Sequence, residues 1–453
     1  MSSFAKVDAY LEAHLGESVD ELSRLTAQPS VAAQNWGLKE CAALAGKLLE
    51  QRGFAVQTFP TRGAPVVYGE RAGKSDKTLI IYNHYDVQPA EPLDLWESPP
   101  FVPTLRDGKL FGRGVSDDKA HITGRLFAID ALLDEDGELP CRVKWVIEGE
   151  EEISSVHLHD FVEEHRELLK GDACVWEFGG VDFNERPMQY LGLRGICYVE
   201  LSVETASQDV HSGLGGSIFP NAAWRLTWAL SSLKGPDERI RIPGFYDKVR
   251  KPSQRDIDLF SLLPETSEEY RQRYGLSHFL RGLTGGVDLH LAEVFEPTCT
   301  ICGLTSGYQG PGSKTVLPAK ASAKVDFRLV PDQSPQEVVK LLRSHLDAEG
   351  FSDVKVTLLG GEGPARTDPD DPFVKLVVES AADVYGMPMQ VVPMMGGSGP
   401  NAIFQKALQV PIVTMGSGYP GSQAHAPNEN VRIDLYLKSA RHMARVLRLF
   451  GAS

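Results

Sequence analysis

A chain of 453 residues is long enough for two or three domains and a substantial core. With 42% apolar and 24% charged residues its composition is that of an ordinary globular protein, and a formal net charge of −15 argues against nucleic acid or an anionic membrane as partner. No run of about eighteen apolar residues occurs, so no membrane span is expected, and the first residues lack the basic, apolar and small-residue order of a secretory signal. Cys41, Cys141, Cys174, Cys197, Cys299 and Cys302 read as small buried hydrophobes in a reducing compartment. Cys299 and Cys302 have redox or zinc spacing, but no second pair and no nearby His. The expected location is the cytoplasm.

In chain order, Phe4, Val7, Leu11 and Leu15 recur at helical spacing, and further helices are expected over 19–25 and 38–49. A short strand over 55–59 precedes the stretch 79–87, whose apolar first half suits a strand buried on both faces. Its second half places His84 and Asp86 two apart, so both side chains should leave one face of the strand. A Pro-rich loop follows, and then a helix through Ile122, Leu126, Ile129 and Leu132 with Asp117 and Asp118 at its start, where carboxylates cap free N–H groups. Strands over 142–147 and 173–176 run into Glu148–Glu152 and Glu177. Strands alternating with helices mean a largely parallel α/β sheet, whose active site lies at the strands' carboxyl ends. After Pro187 the order becomes strand 196–204, helix 221–233, a long insertion, strands 298–304 and 321–330, helix 335–346 and strand 354–359. That is βαββαβ, a ferredoxin-like layer inserted into the first domain. Residues 360–372 read as the return linker. A helix over 371–385, strands over 390–394 and 410–415, a helix opened by Gly396–Pro400, the loop carrying His425 and a helix over 435–450 complete the chain.

Two hydrolytic metal ions need about five oxygen or nitrogen ligands, one of them bridging. His84, Asp117, Glu152, Glu177 and His425, all at strand ends or in loops, form such a set, although spacing alone does not bring them together.

At these residues the sequence resembles the di-zinc peptidases that include carnosinase, aminoacylase, glutamate carboxypeptidase and succinyl-diaminopimelate desuccinylase. The resemblance covers nearly the whole chain. It rests on His84-Tyr85-Asp86-Val87-Gln88-Pro89, Gly112-Arg113-Gly114-Val115-Ser116-Asp117-Asp118-Lys119, Glu148-Gly149-Glu150-Glu151-Glu152, Glu177, His211-Ser212-Gly213, Phe327-Arg328-Leu329-Val330-Pro331 and Ala424-His425. It implies that His84, Asp117 and Glu177 hold one metal and Asp117, Glu152 and His425 the other. Glu151 would be the general base toward the bridging water, and Asp86 would fix the tautomer and orientation of His84. Asp118 could stand in for Asp117, and Glu150 could shift the Glu151–Glu152 pair by one. In the inserted domain the resemblance gives His211 the oxyanion, in trans, and Arg328 the substrate carboxylate; Lys314, Thr315, Gly397 and Ser398 would touch substrate.

The implied fold is an α/β zinc-peptidase catalytic domain (residues 1–190 and 366–453), with a mainly parallel mixed sheet flanked by helices. Its βαββαβ lid and dimerisation domain spans 191–365. The implied enzyme is a cytoplasmic, homodimeric metallopeptidase with two divalent ions per subunit, zinc first, with manganese or cobalt as alternatives. It would cleave dipeptides or short peptides with a free carboxylate. Two departures point toward the alternative, an N-acyl-amino-acid deacylase or carboxypeptidase. Glu177 stands where carnosinase-like members carry Asp, and Met394 and Met395 precede the Gly-Gly-Ser run where those members place an acidic residue.

Overall fold

The computed structural model describes residues 4–453 and divides into two compact units. One comprises the chain through Leu191 with Thr367–Pro393 and Ile403–Ser453; the other comprises Gly192–Arg366 with Met394–Ala402. The stretch Met394–Ala402, assigned from sequence to the first domain, thus clusters with the second. The reason is local: the Met395 N–H donates to Gly192 O at 2.9 Å, and the Arg194 N–H to Gly397 O at 2.9 Å.

The first unit is built on a six-stranded sheet in the order Ala55–Phe59, Val66–Arg71, Leu139–Glu148, Gly73–His84, Ala173–Trp176 and Ile412–Thr414. The first two pairings are antiparallel and the remaining three parallel. Leu79, Ile80, Ile81 and Tyr82 are wholly buried, as befits the middle of a sheet covered on both faces. The four parallel strands end along one edge, which brings His84, Glu148–Glu152, Glu177 and the loop after Thr414 to the same side. The central strand stops at His84, short of Asp86, which the sequence pattern places on the same strand. Asp86 therefore lies in the following loop, where Val87 N donates to Ser30 O at 2.9 Å, and does not share a strand face with His84. The opening helix breaks at His14 into Ala5–Ala13 and Leu15–Ala27. The strand expected over 390–394 covers Gln390–Val392 and pairs with Pro187–Tyr190 outside the main sheet.

The second unit is the expected βαββαβ layer. Strands Thr300–Ser306, Lys320–Leu329, Gly195–Glu204 and Lys355–Glu362 lie antiparallel in that order, with helices Ala222–Leu233 and Pro335–Ala348 packed on the sheet. Along Gly195–Glu204 every second side chain is buried, the period of a sheet with one packed face. The long insertion holds helices Gln254–Ser261, Ser267–Tyr274 and Gly286–Phe295, the first opened by a capping box between Ser253 and Asp256. All six cysteines are free. Cys302 is exposed, contrary to expectation, where the pairing register slips between Ile301 and Gly303.

On the last helix, Ile433–Gly451, His442 is buried; its Nε2 lies 3.0 Å from Val377 O and 3.1 Å from Ser380 Oγ on helix Pro372–Tyr385. Burial, aided by the Arg445 charge, pushes its pKa down to about 4. Above pH ~6.5 both folded and unfolded states keep this ring neutral. Below that the unfolded chain binds the proton and the folded one does not, so stability falls as pH drops toward 4. The loss reaches about 3 kcal/mol, because each tenfold drop in the proton affinity of the folded state is worth ~1.4 kcal/mol. His442→Gln should flatten the fall in the urea midpoint between pH 6.5 and 4.5; an unchanged slope would acquit this residue.

Candidate active site

The residues gathered at the sheet edge form a continuous chain of ionisable groups. His84 Nε2 lies 2.9 Å from Asp117 Oδ1, and His425 Nε2 lies 3.1 Å from Asp117 Oδ2 and 3.0 Å from Glu152 Oε2. Each Asp117 oxygen thus faces a different imidazole. Potential ligand atoms of Asp117, Glu152 and His425 all lie within 4.8 Å of one another. His425 reaches this position from a left-handed backbone, φ 62°, a conformation that costs a non-glycine residue about 1 kcal/mol or more and is kept where surroundings over-determine it.

Neighbouring groups orient this chain. His84 Nδ1 lies 3.1 Å from the Asp86 carbonyl and 3.4 Å from its Oδ1, which turns Nε2 toward Asp117. The same buried Asp86 accepts from the N–H groups of Glu151 (3.2 Å) and Glu152 (3.1 Å), so one carboxylate fixes both the histidine and the acidic turn. Gln88 Nε2 donates to Glu152 Oε2 at 2.8 Å. The Glu151 carboxylate has no hydrogen-bond partner among the described residues.

Asp117 and Asp118 do not cap the helix Ala120–Asp136; no side-chain cap bond exists there. Asp118 is wholly buried, accepting from the His84 N–H (3.2 Å), Asn83 Nδ2 and His121 Nδ1. Glu150 turns away to His157 Nδ1 at 2.7 Å and the Ala64 N–H at 3.2 Å. The free N–H groups of the Asp117 segment are instead met from far along the chain. Glu429 accepts from Gly114 N (2.8 Å), Ser116 N (2.9 Å), Asp117 N (3.0 Å) and Arg113 Nη1 (2.7 Å). Glu429 and Arg113 are both fully buried. Glu429→Gln would set an amide N–H against donors and leave the Arg113 charge without its partner, which should cost about 3 kcal/mol of unfolding free energy by urea titration. A loss below ~1 kcal/mol would show the pair to be dispensable.

A second residue missed in the sequence is Arg125, the single Arg or Lys of helix Ala120–Asp136. It donates to Tyr82 O (3.0 Å), Asn83 Oδ1 (2.7 Å), Glu177 O (3.3 Å) and Met415 O (2.8 Å), tying three strand ends together.

Electrostatically the centre is crowded with carboxylates. Burial pushes the Glu151 carboxyl well above its usual range; Asp117, Glu152 and Asp86 add repulsion against the pull of His84. Burial likewise raises Glu177, with Glu151 and Asp118 adding to it. Burial would raise Asp117 too, but hydrogen bonds from His425 and His84 outweigh it and hold that carboxyl well below its usual range. Bonds to Asp117 and Glu152 hold His425 up at about 10. Buried Glu177 Oε2 has no hydrogen-bond partner among the described residues. An orphaned carboxylate oxygen near the His84 imidazole and further acids is the donor set of a borderline-hard divalent cation, and the residues present fit such a group.

The other expected site residues lie in the second unit. His211 is exposed; its Nδ1 accepts from Gly213 N (3.1 Å), so Nε2–H faces Thr315 Oγ1 (3.2 Å). The neighbouring Lys314 lies over the Tyr308 ring at 5.9 Å. Arg328 donates from Nε to Asp326 Oδ2 (3.2 Å) and from Nη1 to Ser398 Oγ (2.9 Å), while Gly397 is held by its carbonyl as described.

Comparison with known proteins gives this geometry a family. Residues 80–449 match the model of peptidase family M20/M25/M40. The Cys-Gly metallodipeptidase dug1 of Schizosaccharomyces pombe is 28% identical over 470 aligned positions, covering 97% of this chain and 96% of that protein. The human Beta-Ala-His dipeptidase is 28% identical over 97% and 91%. The M20 family metallo-carboxypeptidase Sso-CP2 from Sulfolobus solfataricus is 37% identical, with a TM-score of 0.90 over 96% of this chain and 100% of that one. A match over most of the chain, with a His and carboxylate centre at its sheet edge, places this protein in peptidase family M20/M25/M40 as a metallopeptidase.

Proposed function

We propose that this metallopeptidase hydrolyses the amide bond of dipeptides and similar short peptides that carry a free C-terminal carboxylate. The observation that carries this reading is the Glu151 carboxylate, without a hydrogen-bond partner beside the His84–Asp117–His425–Glu152 chain. His84, Asp117 and Glu177 would hold one divalent ion and Asp117, Glu152 and His425 a second, zinc first and manganese or cobalt as alternatives. Ions so held supply Lewis acidity and lower the pKa of water toward neutrality.

The chain's own residues do the rest. Glu151 takes the proton of the attacking water and returns it to the leaving amine. Asp86 keeps the His84 ring turned and the acidic turn in place. His211 stabilises the developing oxyanion, Arg328 forks onto the substrate carboxylate, and Lys314, Thr315, Gly397 and Ser398 line the substrate. The enzyme acts as a homodimer through the second unit, a role that suits the exposed Trp224, Trp228, Ile301 and Leu304 there. Six free cysteines suit the cytoplasm.

The deciding experiment is mass-spectrometric turnover of a pool of free dipeptides, longer peptides and N-acetyl amino acids, after metal reconstitution and again with chelator. Chelator-sensitive loss of the dipeptides is expected, and their survival would reject the reading. The uncharged Met394 and Met395 favour a second reading, a carboxypeptidase or N-acyl-amino-acid deacylase, and likeness to the Sulfolobus carboxypeptidase adds weight to it. It predicts loss of the longer or acylated compounds instead.

A further inference from the structure

A backbone N–H can only donate and an ionised carboxylate can only accept, so a histidine set between one of each has its tautomer dictated. His121, near the start of helix Ala120–Asp136, is so placed. Its Nε2 lies 3.0 Å from Ser417 N and accepts there; its Nδ1 therefore bears the proton and donates to Asp118 Oδ1. His121 and Ser417 are both buried, and the Ser417 N–H has no other acceptor among the described residues. Asp118 also accepts from the His84 N–H at 3.2 Å, so the imidazole joins the end of the central strand to the start of the loop that leads to His425.

The root of that loop is bound to the segment that follows Glu177. Gly418 N donates to Gly179 O at 2.9 Å, and Val181 N donates to Gly418 O at 2.9 Å. A Cβ on Gly179 would lie 2.6 Å from Gly416 N, and one on Gly416 would lie 2.5 Å from His121 Nε2, so the two glycine segments and the imidazole are in direct contact. Arg125 follows His121 by four residues and shares its helix face. It donates to Glu177 O at 3.3 Å and to Met415 O at 2.8 Å. One helix face thus holds this root in two complementary ways: Arg125 supplies donors to its carbonyls, and His121 supplies the acceptor for the Ser417 amide.

We propose that His121 is a positioning residue for the metal centre: the lone pair on its Nε2 fixes the shared root of the Glu177 and His425 segments and so sets how tightly the ions are held. This rests on the ligand assignment above, in which Glu177 and His425 serve different ions. Without an ion the loop can turn the Ser417 N–H to water, so the cost of an unmet amide falls on the ion-bound state. A buried donor left unmet shifts an equilibrium by about 5- to 150-fold.

Two amides each reproduce one half of the imidazole. In His121→Gln the amide oxygen reaches the Nε2 position and accepts from Ser417 N–H; in His121→Asn the amide nitrogen takes the Nδ1 position and donates to Asp118, and Ser417 N–H is left unmet. Zinc affinity is measured by competition with a chromophoric chelator, and kcat and KM on the substrate that the peptide pool identifies. His121→Asn should bind zinc at least about ten-fold more weakly, with kcat restored by excess zinc and KM within about two-fold; His121→Gln should stay within about three-fold of wild type throughout. Equal losses in both variants, a loss in His121→Gln alone, or no loss in His121→Asn would overturn the role of the Nε2 lone pair. By linkage zinc must also protect the Ser417 amide, so hydrogen exchange over residues 413–419 of wild type should slow when zinc is added. Exchange unchanged by zinc would overturn the proposal even where His121→Asn fails to fold. Undiminished zinc affinity in His425→Ala would instead overturn the ligand assignment, and this proposal with it.

Discussion

Glu151→Gln should lose about 10²- to 10⁴-fold in kcat while retaining its metal, the range expected when a general base is removed. The Glu151 backbone is fixed by Asp86 Oδ1, 3.2 Å from its N–H, so its carboxylate is not needed to hold the turn in place. The side chain has no hydrogen-bond partner to satisfy, and glutamine fills the same volume. What changes is proton affinity. Burial, with repulsion from Asp117, Glu152 and Asp86, pushes the Glu151 carboxyl well above its usual range. Cations held by its neighbours would draw it back down and keep it ionised. Metal content by plasma mass spectrometry, measured with kcat on the same preparation, separates the outcomes. Turnover near wild type would remove Glu151 from proton transfer. Loss of metal together with turnover would make it a ligand instead.

Why His84 was legible and Glu429 was not follows from how each is specified. His84 ends an apolar run whose burial follows from local pattern, and the parallel sheet then fixes which edge it occupies. The βαββαβ layer was likewise readable from element order, because Gly195–Glu204 and Lys320–Leu329 both alternate in burial. Glu429 meets Asp117 across 312 residues, and no periodicity in either segment encodes that contact. Arg125 was hidden for the opposite reason. As the single Arg or Lys of its helix it reads as a tolerated exception, whereas it serves the carbonyls freed where three strands stop together. The Asp86 error has a local cause. Alternation predicts a strand continuing past His84, but the Tyr85 N–H makes the last ladder bond, to Glu148 O at 2.8 Å, and the chain then turns to Ser30. Sequence alone also left the Asp117–Asp118 register open. Structurally the two differ sharply: one carboxylate faces two histidines, while the other is enclosed by Asn83, the His84 backbone and His121.

That difference predicts the second large effect. Asp117→Asn should abolish both stable metal binding and turnover, and Asp118→Asn should lower stability while leaving metal binding intact. Asp117 offers one oxygen to the His84 side of the centre and the other to the His425 side. An amide keeps one oxygen and replaces the other with a nitrogen that cannot bind a cation, so one half of the proposed two-ion centre would lose its shared ligand whichever way the amide turns. Metal that binds only the folded state stabilises wild type by about 4 kcal/mol when its free concentration is a thousand times Kd. The readout is the shift in thermal midpoint on adding zinc or manganese to chelator-stripped protein. Wild type should rise, Asp118→Asn should rise from a lower starting point, and Asp117→Asn should not respond. Removing a carboxylate already spent on neighbouring donors weakens packing, but it takes no ligand from the cation. A full metal response in Asp117→Asn, or its loss in Asp118→Asn alone, would transfer the shared ligand from one aspartate to the other.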